Sequence, residues 1–176
     1  MVPSKDSRGT VTGAQVRLLA TALVITVLDQ VVKGVVVNAM RMGESISLIG
    51  HVVRFTRTSN TGAAFGIFRG GSVWFAGLSL VAAVLIAALS RQIARGRRIE
   101  RVAFGLILGG TVGNLIDRIR LGAVVDFIDI GVNSVRWPAF NVADSAITIG
   151  VTLLAVSLLF LGGARAISTQ SPGDQQ

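Results

Sequence analysis

Four apolar runs, Leu18–Met40, Ser72–Ser90, Val102–Ile116 and Ala139–Leu161, constrain this chain more than any other feature. A helix needs about 20 residues to cross about 30 Å of hydrocarbon. The third run is short for that, so it must continue into its flanks or meet a locally thinned bilayer. The composition agrees with membrane residence: 51% hydrophobic and 15% charged residues, with a mean hydropathy of +0.68, are too apolar for an ordinary soluble domain. A length of 176 residues bounds the chain to one domain. The expected fold class is mainly α, a polytopic membrane protein with four transmembrane helices.

Charge sets the orientation. The net charge of +8 could suggest nucleic acid, but the basic residues cluster between the apolar runs, where they orient a membrane protein. No nucleic-acid partner is expected. Arg91, Arg95, Arg97, Arg98 and Arg101 crowd the link between the second and third runs, Lys5, Arg8 and Arg17 precede the first, and Arg165 follows the fourth. By the positive-inside rule both termini are cytoplasmic, although the outer loops carry arginines too. The first run is too long for a signal-peptide core and contains Asp29 and Lys33, so it reads as a retained span. Residues 1–16 are expected to be a disordered cytoplasmic arm, 17–166 the membrane domain, and 167–176 a disordered tail. The outer segments Ser45–Thr58 and Val124–Trp137 are β-rich and could lie as short strands on the membrane surface.

Against this background the carboxylates stand out. Asp144 lies inside the fourth run, and Asp126 sits in the apolar stretch VVDF that leads toward it. An ionisable group at membrane depth is costly and marks a functional site by default. With the orientation above, Asp29 and Lys33 share a helix face in the outer half of span one, spaced to pair. Asn114, Asp117 and Arg118 end span three, and Asn141 and Asp144 share a face at the start of span four. The polar groups therefore gather at one depth. Two close carboxylates share one proton, so one can act as base toward water while the other works as acid. Asp117, beside Arg118, reads as part of an ion-pair network at the helix end, Asp129 and His51 as exposed, and Asn141 as a helix-start residue. Gly105, Gly109 and Gly113 read as a helix-packing face.

Other chemistries fare worse. There is no cysteine, and His51 is the single histidine, so thiolate catalysis and histidine-rich metal sites are excluded; neither metal nor cofactor is expected. A Ser/His/Asp triad would have to recruit His51, and a Ser–Lys dyad would have to take Lys33 from Asp29. A proton-coupled carrier using Asp29, Lys33 and Asp144 needs polar groups through the membrane depth, which the inner halves of spans two and four lack. A purely structural assembly factor leaves the convergent acids unexplained.

Five segments, in order along the chain, carry a resemblance: DxxxK at Asp29–Lys33, SNTGAAFGIF at Ser59–Phe68, GGTVGNLIDR at Gly109–Arg118, VVDF at Val124–Phe127 and FNVADS at Phe140–Ser145. Together they resemble the lipoprotein signal peptidases, the bacterial membrane aspartyl endopeptidases also called signal peptidase II. The resemblance implies Asp126 and Asp144 as catalytic aspartates, and Asn60, Asn114, Arg118 and Asn141 as residues that shape the site and orient substrate. It also implies a structural or orienting role for Asp29 and Lys33. The implied substrate is a prolipoprotein, cleaved on the amino side of its diacylglyceryl-modified lipobox cysteine. The implied fold has four helices, a small β-rich extracytoplasmic cradle and a short extra helix. The implied setting is the bacterial inner membrane, with the site near the outer face, lipids as surroundings and a monomeric enzyme. Ala63, Ala64 and Phe65 are expected to form part of a lid or wall.

Overall fold

The computed structural model describes residues 13–62 and 71–161. The elements follow in the order α1 (Gly13–Ala39), β1 (Ser45–Ile49), β2 (Val53–Asn60), α2 (Ser72–Ile93), α3 (Arg98–Leu121), β3 (Val124–Val132), β4 (Val135–Arg136) and α4 (Val142–Leu161). All four helices are long and apolar enough to cross a membrane. Their outward surfaces are apolar, with Leu23 at 65%, Trp74 at 84% and Phe160 at 75% exposure. Such surface suits lipid rather than water. The chain is a multi-pass membrane protein.

The central helix is α3, which packs against each of the other three. It runs parallel to α1 and antiparallel to α4. A side chain at Gly105 would meet Leu18 O at 2.9 Å, and one at Gly109 would meet Ala22 O at 2.6 Å. The glycine face is thus a close approach to α1, as its spacing implies. Gly110 of α3 and Gly150 of α4 do the same for the α3–α4 contact; a Cβ on Gly150 would lie 2.7 Å from Ala103 O.

Several boundaries differ from the sequence reading. Helix α1 begins at Gly13, so residues 13–16 of the expected arm are helical, and Gln15 is buried with its Nε2 donating to Ser90 Oγ at 2.9 Å. The third span continues into its flanks, as expected for so short a run, and its helix covers Arg98–Leu121. Gly122 stops it in the left-handed region at φ 69°. Helix α4 starts at Val142, since Ala139 and Phe140 belong to an extended segment in which Phe140 bridges Ile128. No short extra helix lies among the described residues, and Ala63, Ala64 and Phe65 lie outside them.

The strands form one antiparallel sheet in the order β1-β2-β3-β4. It seats on the end of the bundle where α1 and α3 finish and α4 begins. Phe127, 2% exposed, anchors it by packing with Val36 and Met40 of α1 and edge-on against Phe55. Arg57 adds a polar tie: its guanidinium donates to Val37 O at 2.9 Å and Met40 O at 2.6 Å. Val37 lies in the final turn of α1 and Met40 directly follows it, where carbonyls lack intrahelical donors.

Candidate active site

The start of α4 closes on itself. Asn141 is its N-cap: the side-chain Oδ1 accepts from Asp144 N at 2.9 Å, while Asn141 N donates to Asp144 Oδ2 at 3.3 Å. This reciprocal pair is a capping box with Asp144 at the third helical position. A second orphan donor of that helix end, Ala143 N, is taken by Asp29 Oδ1 of α1 at 2.9 Å.

Asn141 also faces away from its own helix. Its Nδ2 donates to Asp126 Oδ1 at 2.7 Å, Val125 O at 3.3 Å and Asn114 Oδ1 at 3.2 Å. Asn114 in turn donates through Nδ2 to Asp144 Oδ1 at 2.8 Å. Asn60, the last residue of β2, donates to Asp126 Oδ2 at 3.1 Å, and its Oδ1 is fixed by Gly62 N at 3.0 Å. Three asparagines thus hold both carboxylates, each amide placing a donor on a carboxylate oxygen. Asp126 is 2% exposed.

Behind this layer sits a buried ion-pair cluster. Lys33 Nζ lies 2.8 Å from Asp29 Oδ2 and 2.9 Å from Asp117 Oδ2, and donates to Asn114 Oδ1 at 2.9 Å. The lysine is 3% exposed and therefore shielded from water. Asp117 Oδ2 also accepts from Val125 N at 3.0 Å, tying α3 to the strand that carries Asp126. Gln30, which the sequence reading passed over, donates to Asp117 Oδ1 at 2.9 Å, Gly113 O at 3.1 Å and Asp29 Oδ2 at 3.3 Å. Its signal was an uncharged amide in mid-span beside Asp29.

Asp117 belongs to an ion-pair network, as expected, and its partner there is Lys33 of α1. One expectation is corrected. Asp129 is buried rather than exposed. Arg136 from β4 pairs with it, and Thr56 Oγ1 donates to it at 2.8 Å. Burial alone would raise the Asp129 carboxyl, but the hydrogen bonds from Arg136 and Thr56 and the charges of Arg136 and Arg54 outweigh it and hold it below its ordinary value. His51 is exposed, as expected.

Asp126 and Asp144 open onto one cavity of about 530 Å³, shared with Asn60, Asn114 and Arg118. Trp137, Phe140, Ile147 and Ile149 give it apolar walls. The Arg118 guanidinium rests over the Phe75 ring at 5.7 Å, which aims it from α3 toward α2. Burial first, and then the negative charge of Asp144, push the Asp126 carboxyl up to about 7; the donors Asn60 and Asn141 and the Lys33 charge pull the other way. A single proton on this carboxyl is therefore in play near neutral pH. The arrangement provides an acid and a base on one half-apolar cavity. Among the described residues, no group of three or more His, Cys, Asp or Glu is arranged to hold a metal ion.

The chain as a whole is similar to known proteins of one family. A family model described as signal peptidase (SPase) II matches residues 21–160. The chain is 42% identical over 149 residues to the lipoprotein signal peptidase of Shouchella clausii, covering 85% of this chain and 97% of that protein. It is 41% identical to the lipoprotein signal peptidase of Bacillus subtilis, covering 82% and 94%. A solved bacterial membrane enzyme, determined by the in meso method at 2.3 Å resolution, superposes with a TM-score of 0.75 at 31% identity, covering 91% of this chain and 94% of its own.

Proposed function

This chain belongs to the signal peptidase II family, the lipoprotein signal peptidases, and on that premise we propose that it removes signal peptides from prolipoproteins with Asp126 and Asp144 as its catalytic pair. It is an aspartic peptidase, a hydrolase. The cleaved bond lies on the amino side of the diacylglyceryl-modified lipobox cysteine. The observation that carries the assignment of the pair is the common support of the two carboxylates: Asn141 bonds from the head of α4 to Asp126 of β3, and Asn114 of α3, which accepts from that same Asn141 amide, donates to Asp144, at the rim of one cavity.

In the active form Asp126 carries the shared proton and Asp144 is the base. Asp144 takes a proton from a water lying between the two side chains, and the resulting oxygen attacks the scissile carbonyl. The Asp126 O–H donates to the carbonyl oxygen as it gains charge. Collapse of the tetrahedral intermediate passes a proton to the leaving nitrogen and restores the pair. Asn60, Asn114, Asn141 and Arg118 orient the acids and the substrate backbone; Asp29 and Lys33 position Asn114 and the start of α4.

The membrane supplies the remaining positioning. The arginine-rich link between α2 and α3 lies at the end of the bundle away from the cavity, which supports cytoplasmic termini and a site near the outer face of the inner membrane. A lipid-modified cysteine is held at that interface by its acyl chains, so the bond beside it is presented at the depth of both acids. The site is built from one chain and the enzyme acts as a monomer among membrane lipids. Cells whose only copy carries Asp126→Asn should accumulate lipidated precursor; mature lipoprotein at ordinary levels would overturn the assignment.

A further inference from the structure

At the end of the bundle away from Asp126 and Asp144, α1 and α3 enclose a second cavity of about 450 Å³. Arg17 from the start of α1 and Arg98 and Arg101 from the start of α3 line it, together with the apolar Val24, Ile25 and Val102. No acidic side chain is among its lining residues within the described part of the chain. Glu100, in the first turn of α3, is engaged elsewhere: it accepts from Ser157 Oγ of α4 at 2.9 Å and from Arg97 N at 3.0 Å. Arg17 and Arg98 are exposed, and Arg101 is held over the cavity by its bond to Gly96 O.

Three guanidinium groups around one groove repel each other unless an anion joins them, and the N-terminus of α3 adds its own positive end. The groove does not end in water. Val24, at 62% exposure, and Val102, at 39%, continue it onto the apolar outer surface of the bundle. An occupant that satisfies both parts needs an anionic head and a hydrocarbon chain in one molecule. We infer that this groove binds an anionic phospholipid, its phosphate among Arg17, Arg98 and Arg101 and an acyl chain along Val24, Ile25 and Val102. The lipid belongs to the leaflet opposite the catalytic cavity, so the site is separate from substrate binding. Basic pockets between transmembrane helices recognise anionic head groups by the same chemistry.

The test uses the full chain in detergent, titrated with phosphatidylglycerol, phosphatidylcholine or inorganic phosphate, with bound lipid read by native mass spectrometry. Phosphatidylglycerol should be retained at least about tenfold more strongly than phosphatidylcholine, and inorganic phosphate should not displace it at matched concentration. Arg17→Gln/Arg98→Gln should lose that preference by roughly tenfold or more, whereas Arg91→Gln/Arg95→Gln, outside the groove, should keep it. Both exchanged residues of the first variant are exposed and remote from the catalytic cavity, so retained signal-peptide cleavage reports its folding; the single variants Arg17→Gln and Arg98→Gln should each show part of the loss. Equal retention of the two lipids, equal loss in the Arg91/Arg95 variant, or displacement by phosphate alone would overturn the inference.

Discussion

Asn141 and Asp144 hold each other in the first turn of α4, the side chain of each accepting the backbone N–H of the other. The same Asn141 amide donates to Asp126 at 2.7 Å, so one residue fixes the backbone under one acid and the carboxylate of the other. Capping and alignment of the pair are therefore separable by substitution. Asn141→Ser keeps a capping oxygen but cannot reach Asp126; it should lower kcat/KM by about 100-fold and lose only the stability held by the Nδ2 bonds, about 1–3 kcal/mol. Asn141→Ala should lose activity similarly and cost about 1 kcal/mol more stability than Asn141→Ser, because the cap is lost as well. Parallel thermal melts and cleavage kinetics of the two variants separate the roles, and equal activity of Asn141→Ser and the parent would remove the alignment role.

Lys33 neutralises two buried carboxylates and orients Asn114. Lys33→Met leaves Asp29 and Asp117 buried without their cation and should destabilise the protein by about 3–5 kcal/mol. Lys33→Met/Asp117→Asn should recover part of that loss, because one stranded charge is gone. A double-mutant cycle on unfolding in mild detergent measures the coupling; additive losses would show that the lysine does not act through Asp117.

Asp126 gives the enzyme a pH limit. Its carboxyl is raised to about 7, so the proton it supplies is lost as pH rises through that value, and kcat/KM should fall on the alkaline side of neutrality. Stability follows the same sign. A carboxyl raised above its unfolded value of about 3.9 contributes stability that is fully present below that value and lost as pH climbs through about 7. Asp126→Asn cannot titrate, so its stability relative to the parent should increase between pH 4 and pH 8. A pH series of melts on the two proteins checks this, and a constant difference would contradict the raised carboxyl.

The α1–α3 approach leaves no space for a methyl group at Gly113, where a Cβ would sit 2.6 Å from Asp29 Oδ2. Gly113→Ala should displace Asp29 and with it the bond to Ala143 N at the head of α4. The expected cost is about 1–3 kcal/mol, with a fall in activity larger than that of Gly77→Ala, where a Cβ meets nothing within 4 Å. Matched melts and cleavage rates of these two variants provide the comparison.

Much of this was legible in the sequence because hydrocarbon imposes a length and forbids idle charge. The four spans and the gathering of Asp29, Lys33, Asn114, Asn141 and Asp144 at one end follow from run length, loop charge and direction. What was not legible depends on partners distant in sequence. Asp117 was legible as part of an ion-pair network, but its partner Lys33 comes from α1, far away in the chain. Asp129 looked exposed because nothing nearby in sequence explained its burial; its partners Thr56 and Arg136 reach it only once three strands are paired. Gln30 carries no charge and so raised no alarm, although it ties α1 to α3 at two points of α3. The short third run does continue into its flanks, where Arg98, Glu100, Asp117 and Arg118 are helical although too polar to count as span.

The pairing of Asp126 with Asp144 is tested most directly by cleavage of a synthetic diacylated lipobox peptide by purified protein, parent against Asp126→Asn and Asp144→Asn. Each variant should melt as a folded protein and cleave at least about 1,000-fold more slowly than the parent. Cleavage by either folded variant at a rate near the parent's would contradict the paired-acid mechanism.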